Sequence, residues 1–400
     1  MDTRSTPETV PLLFTPMTIS GARVRNRIVL PPLCQYSARH GFAGDWHLVH
    51  LGKVALGGMG IVFTEAAAVE ERGRISHGDL GIWSDAFVPG LKRVADFVRS
   101  EGALPGVQLA HAGRKGGWQR PWAGNGPLNA LDASRGEAPY QLVGPTTEAL
   151  SDGFVQPHSL SATDIANLVA HFGDATARAD AAGFEIVEIH GAHGYLISSF
   201  LSPGVNTRTD GYGGDRAGRM RLALEIAKSV RERWPGRKPL FFRVSSVDGA
   251  PDGWDIDDSV ALSRELARVG VDVIDCSSGG MRGATAYENS SRKPGFQVRY
   301  ASEIRRRTGV KVMAVGHILD GRQAETALAE GHADLIAVGR QAMFDPYFAN
   351  HAAIAMGVAP LFQTWNDQAG WWLALRARGL EGVGYGPDGA PLRGDQADRV

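Results

Sequence analysis

Short runs of consecutive apolar residues alternate along this chain with longer stretches whose apolar residues recur every three to four positions. The runs fall at 28–33, 59–66, 106–110, 185–190, 240–244, 271–275, 311–315 and 334–338. Helical patterns stand near 47–56 and over 85–100, 162–182, 217–234, 257–269, 298–308, 321–330 and 346–356. Continuous apolarity, rather than alternation, marks strands buried on both faces, so the pattern predicts a parallel sheet covered by helices. Eight such units predict closure into an α/β fold, a single (β/α)8 TIM barrel. An open doubly wound sheet is the alternative, but no strand runs into a well-placed Gly-x-Gly-x-x-Gly turn. Residues 14–27 predict an N-terminal β-hairpin turning at Ser20-Gly21. Two connections, 111–159 after the third strand and 191–218 after the fourth, are too long for turns and read as lids or binding elements. The domain reading is a disordered lead at 1–10, a barrel over 11–358, a C-terminal segment at 359–378 and a flexible tail at 379–400.

Composition removes several function classes. With 42 basic and 43 acidic side chains, the net charge of −1 gives no electrostatic reason to expect nucleic acid or an anionic membrane as partner. No run approaches the ~18 apolar residues of a membrane span, and the first residues carry no apolar signal core. The two cysteines, Cys34 and Cys276, cannot build a disulfide framework or ligate an iron–sulfur cluster. They fit a reducing compartment, and the expected location is cytoplasmic.

If the barrel closes, its chemistry belongs at the carboxyl ends of the strands. The fourth strand ends in His190-Gly-Ala-His193-Gly-Tyr195. A metal reading needs further ligands, and none is well placed; a core-histidine reading is the plain alternative. The chemical reading is a pair of donors, His190 and His193, aimed at one oxygen, with Tyr195 as proton donor. Gln108 and Arg243 are polar residues on strands that otherwise read as buried. Either they pair internally or they meet a flat heterocycle with carbonyl and imide edges. Gly316 ends the seventh strand and Gly339-Arg340 the eighth, the usual level of a barrel phosphate site. Glycine amides beside an arginine suit a dianion. Cys34, directly after the first strand, is either a small buried hydrophobe or a thiol beside a redox ring.

Several motifs carry a resemblance. They are Phe14-Thr-Pro-Met, Asn26-Arg27-Ile28-Val29, Pro32-Leu33-Cys34-Gln35-Tyr36, Gln108-Leu-Ala-His-Ala-Gly-Arg-Lys115, His190-Gly-Ala-His-Gly-Tyr195-Leu, Asn206-x-Arg208-x-Asp210-x-Tyr212-Gly213-Gly214 and Gly339-Arg340. Across roughly 12–358 the chain resembles the old yellow enzyme family of FMN-dependent ene-reductases, in its bacterial thermophilic-like branch.

The resemblance implies bound FMN and NADPH or NADH as reductant. It also implies ping-pong reduction of the activated C=C bond of α,β-unsaturated carbonyl compounds. Pro32, Leu33, Cys34, Ala66, Gln108, Arg243, Gly280, Gly316, Gly339 and Arg340 would then contact the cofactor. His190 and His193 would hold the substrate carbonyl, Tyr195 would protonate the α-carbon, and Tyr36 and Lys115 would line the substrate pocket. A homodimer or homotetramer is expected, with Trp371 or Trp372 standing for an aromatic that reaches a neighbouring subunit's site. A same-fold flavoenzyme acting on aromatic acyl-CoA esters or nitro compounds is the alternative.

Overall fold

The computed structural model describes residues 10–250, 252–281, 293–358, 362–387 and 389–392. Most of the expected lead and residues 388 and 393–400 of the expected tail therefore lie outside the described residues. All eight apolar runs are strands: β1 Ile28–Leu30, β2 Ile61–Ala68, β3 Leu104–Ala110, β4 Ile186–Gly191, β5 Leu240–Ser245, β6 Val273–Ser277, β7 Lys311–Ala314 and β8 Leu335–Ala337. Each is parallel to the next, β8 pairs with β1 through Ile336 and Ile28, and β1 pairs with β2 through Val29 and Ile61. The sheet is thus a closed barrel.

The strand ends depart from the sequence reading for local reasons. β1 stops at Leu30 because Pro31 and Pro32 offer no N–H to a ladder. β2 runs on to Ala68, and its register against β3 shifts between Phe63 and Ala66. β6 carries Cys276 and Ser277 as ladder residues opposite Val244 and Ser245.

Two apolar layers hold the barrel. Its interior is filled by Val29, Ile61, Phe63, Ile186, Phe241, Val273, Met313 and Leu335, and the Phe63 and Phe241 rings lie 5.8 Å apart. Truncating either phenylalanine to alanine costs about 3–5 kcal/mol by the usual scale for core aromatics. The hairpin Met17–Ile19 and Ala22–Val24 forms as expected and packs Ile19 and Val24 into the same layer. Its turn bonds the loops that lead into β5 and β6: the Gly21 N–H donates to the Arg237 carbonyl, and the Ser20 hydroxyl to Asp272. The hairpin therefore stoppers the amino end and leaves the carboxyl end as the mouth.

The outer layer lies between strands and helices. Helix Ala162–Ala181 is typical. Ser161 caps it with Asp164 in a capping box, its buried residues Ile165, Leu168, Phe172, Ala175 and Ala179 recur at helical spacing, and Gly183 follows at φ +80°. Beside that face, Val169 and Gly173 meet helix Arg216–Arg233 at Ser229 and Arg233.

Both long connections carry structure of their own. The one after β3 holds a short helix, Ala130–Ala133, and a two-residue parallel ladder of Val143–Gly144 with His158–Ser159. The one after β4 holds helix Leu196–Leu201. The C-terminal boundary expected at 379 falls inside a helix, Asp367–Glu381, capped by the Asn366 side chain. Beyond it Tyr385 bridges Pro391, and Arg376 donates to the Pro387 carbonyl. Residues 379–381, the start of the expected tail, are therefore helical. Trp371 and Trp372 meet edge to face and are 60% and 66% exposed. No helix among the described residues is long and apolar enough to cross a membrane.

Candidate active site at the carboxyl ends of the strands

The barrel mouth opens into a cavity of about 500 Å³, within the usual size of small-molecule sites. Pro32, Leu33 and Cys34 reach it from the exit of β1, Gln108 from β3, and His190 from β4 with His193 and Tyr195 just beyond. Arg243 enters from β5, Gly316 follows β7, and Gly339 and Arg340 follow β8. Tyr36 and Lys115 line a second cavity of about 170 Å³, which shares Tyr195 with the first. Ala66 and Gly280 line neither. Ala66 follows the register shift of β2 and borders a void of about 10 Å³ shared with Asp79, His190 and Tyr195, room for about one water. Gly280 is a brace. At φ +92° its backbone lies so close to His193 that a Cβ would stand 2.6 Å from the His193 Cα.

The fourth strand's end is held from several sides. Nδ1 of His190 accepts the Ala192 N–H at 3.3 Å, which leaves the ring proton on Nε2. His193 sits at φ +63°. Its backbone N–H donates to the Ser245 hydroxyl at 2.8 Å, and its Nε2 meets the Ser277 hydroxyl at 2.7 Å. Burial, reinforced by the Arg243 charge, holds both imidazoles well below their ordinary pKa, so both are neutral near pH 7. Burial pushes the Tyr195 phenol well above its ordinary value, helped by Cys34 and Asp79, so it keeps its proton. Burial likewise raises the Cys34 thiol, with Asp79 and Glu65 adding to it. Glu65 fixes the loop that carries this thiol: it accepts the Gln35 N–H at 2.7 Å and is held by His47 at 2.9 Å.

Lys115 serves the loops more than the pocket. Its ammonium donates to the carbonyls of His193 at 2.8 Å and Gly280 at 2.7 Å, and burial lowers its pKa to about 8. Tyr36 sits at φ +50°, and its carbonyl accepts from Arg120.

Below the cavity lies a polar layer only half anticipated. The amide of Gln108 donates to Glu188 at 2.7 Å, and Nε of Arg243 faces Asp275 at 3.2 Å. Both carboxyls are fully buried. Gln108 thus has a hydrogen-bonded internal partner and Arg243 an ion-pair partner with no hydrogen bond at Nε, yet both still line the cavity. With one N–H committed to Glu188, the Gln108 oxygen and its second N–H are left for other partners.

Gly316 stands at φ +127°, and a Cβ there would meet Gln297 at 3.1 Å, so the position requires glycine. Gly339 precedes the short helix Arg340–Phe344, and the Arg340 guanidinium meets the His317 ring at 2.9 Å. A glycine-lined corner with an arginine at one end and Gln108 with Arg243 at the other fits a flat ring bearing a phosphate tail.

Sequence reasoning missed Ser277 as a partner of His193, and Gln297, which donates to Ser278 at 2.7 Å from a stretch with no periodic signal. It also missed Glu188, Asp275 and Asp79. A larger groove of about 820 Å³ opens elsewhere, around Arg74, Trp83, Tyr140 and His171. It contains none of the strand-end residues, and the chemistry assembles in the smaller cavity.

Comparison with known proteins gives the class to which this barrel and its mouth belong. The profile of the NADH:flavin oxidoreductase / NADH oxidase family matches residues 12–356. The chain is 40% identical over 343 residues to an NADPH dehydrogenase of Bacillus subtilis (strain 168), covering 85% of this chain and 94% of that protein. An NADPH dehydrogenase of Geobacillus sp. (strain WCH70) is 40% identical over 348 residues, covering 86% and 95%. Among solved structures, 2-naphthoyl-CoA reductase in complex with 2-naphthoyl-CoA superposes with a TM-score of 0.77 at 24% identity, covering 86% of this chain but only 52% of that one. Morphinone reductase in complex with tetrahydroNAD superposes with a TM-score of 0.70 at 24% identity, covering 87% and 92%. The chain belongs to the NADH:flavin oxidoreductase / NADH oxidase family, the old yellow enzymes. It is an NAD(P)H-dependent FMN oxidoreductase.

Proposed function

We propose that this oxidoreductase is an ene-reductase, reducing the activated C=C bond of α,β-unsaturated carbonyl compounds. The observation that carries the reading is the convergence of two neutral imidazoles and one protonated phenol at the junction of the two cavities. When bound, the flavin supplies the hydride acceptor and donor. Gln108 and Arg243 would hold its ring edge, Gly316, Gly339 and Arg340 its phosphate, and Pro32, Leu33 and Cys34 would line its ring.

The chain's own residues do the rest. The Nε2–H of His190 donates to the substrate carbonyl oxygen. A neutral donor that polarises the carbonyl stabilises the charge developing there without burying a second cation. His193 joins it once its ring exchanges the Ser277 hydroxyl for substrate. Tyr195 delivers its proton to the α-carbon, since burial keeps the phenol protonated. Tyr36 and the loop residues Trp118 and Pro121 close around the substrate's far end. The two cavities meet at Tyr195, and reductant and substrate would use this one approach to the flavin in turn, a ping-pong order.

The test is stopped-flow reoxidation of the reduced enzyme by enones, maleimides, nitro compounds and aromatic acyl-CoA esters. Enones and maleimides are expected to react fastest; faster turnover of nitro compounds or CoA esters would overturn the reading.

A further inference from the structure

Three buried carboxylate oxygens under the cavity have no hydrogen-bond donor among the described residues: Oε2 of Glu188 and both oxygens of Asp275. Both side chains are 0% exposed, and neither lines the cavity. Strand register brings them together. Gln108 stands beside Glu188 across β3 and β4, Arg243 beside His190 across β4 and β5, and Arg243 beside Asp275 across β5 and β6. The two carboxyls lie close enough to hydrogen-bond to each other.

Two ionised carboxylates against one guanidinium would leave a net negative charge in a dry layer, a costly arrangement. One proton between them removes that charge and gives each carboxyl a partner. Its location follows from the neighbours. Asp275 faces Nε of Arg243 at 3.2 Å and is the ionised member. Glu188 already accepts from Gln108 at 2.7 Å through Oε1, so a proton on Oε2 completes its bonding.

We propose that Glu188 is a carboxylic acid in the resting protein and donates to the Asp275 carboxylate, making Glu188, Asp275 and Arg243 an electroneutral positioning unit beneath the flavin. The role toward the flavin rests on the assignment of Gln108 and Arg243 to its ring edge; the protonation state does not. Burial, and for Glu188 the neighbouring Asp275 charge, raises both carboxyls, in agreement with a retained proton. Through Gln108 the acid fixes which face of the amide is presented upward. Through Asp275 it sets how much of the Arg243 charge is already answered from below.

Two measurements test this. The first needs no flavin: infrared spectra of the flavin-free protein at about pH 8, above the range near 7 in which Asp79 ionises. A carboxylic-acid C=O band is expected in the wild type and is expected to vanish in Glu188→Gln. Its absence from the wild type would overturn the proposal even if no variant folds. The second is the midpoint potential of the holoenzyme. Glu188→Gln reproduces the acid's donor and acceptor and is expected to keep the wild-type potential. Asp275→Asn strips the charge that answers Arg243 and is expected to shift the potential upward. The reverse pattern, or an equal shift in both, would overturn the assignment of the proton to Glu188. A lost hydrophobic contact would not separate two near-isosteric variants in this way. If the infrared band appears but flavin does not bind, the functional reading fails and the acid pair stands.

Discussion

The His190 imidazole stands edge-on to the phenol of Tyr195, ring centroids 5.1 Å apart at 68°. On the proposed roles, donor and acid would meet one bound substrate from fixed relative positions. Replacing Tyr195 by Phe keeps the ring packing and removes only the proton. Substrate-driven reoxidation is expected to slow about 100-fold or more, while reduction by NAD(P)H stays near wild type. Stopped-flow measurement of the two half-reactions checks this, and an equal loss in both would remove Tyr195 from the proton step.

The neutral histidines give a pH signature. Because burial and Arg243 hold both imidazoles well below the ordinary value, reoxidation by substrate is expected to stay level as pH falls through about 6.5. His190→Ala is expected to lower that rate about 100-fold, the usual cost of one lost oxyanion donor. A pH–rate profile of the wild type that bends near 6.5 would mean that one ring ionises in the working range.

Ser277 and His193 share one hydrogen bond, 2.7 Å long, that a substrate oxygen must compete with. Ser277→Ala frees the ring nitrogen at a cost of about 1 kcal/mol in stability. The expected result is a lower KM for enone with kcat little changed, read from steady-state kinetics.

Asp79 gives a prediction about stability. It is buried, and its pKa is raised to about 7, chiefly by burial and then by Glu65. Between the ordinary carboxylate pKa of about 3.9 and 7 the folded chain holds a proton that the unfolded chain has lost, so this group's contribution to stability falls as pH rises. Above 7 the loss is complete. Asp79→Asn is expected to abolish this component, which a comparison of denaturant midpoints of wild type and variant across this pH range measures directly.

Much of this was readable from residue order, and the failures share a cause. The eight strands were visible because each is a short, continuously apolar run, and the hairpin because Ser20-Gly21 separates two such fragments. His190, His193 and Tyr195 stood out as polar rings at the end of one of these runs. The end of β2 was misplaced because Ala67 and Ala68 carry little strand signal without their ladder partners. Helix Asp367–Glu381 was divided at 379 because Gly379 and the glycines beyond it read as a break. Glu188 and Asp275 were in plain view inside strands, but their meaning depends on register across β3 to β6, which no single strand contains. The same holds for Ser277, whose partner lies 84 positions away.

The Lys115 ammonium ties the base of the connection after β3 to the loops after β4 and β6. From three residues further on, that connection presents Trp118, Pro121 and Asn125 to the smaller cavity, with Trp118 packed on Phe154 at 4.7 Å. Anchorage and contact surface are thus separate pieces of one connection. Substitutions at the tip can redraw the range of accepted molecules in lineages descended from this chain, while the pinned base keeps the reacting groups where they are.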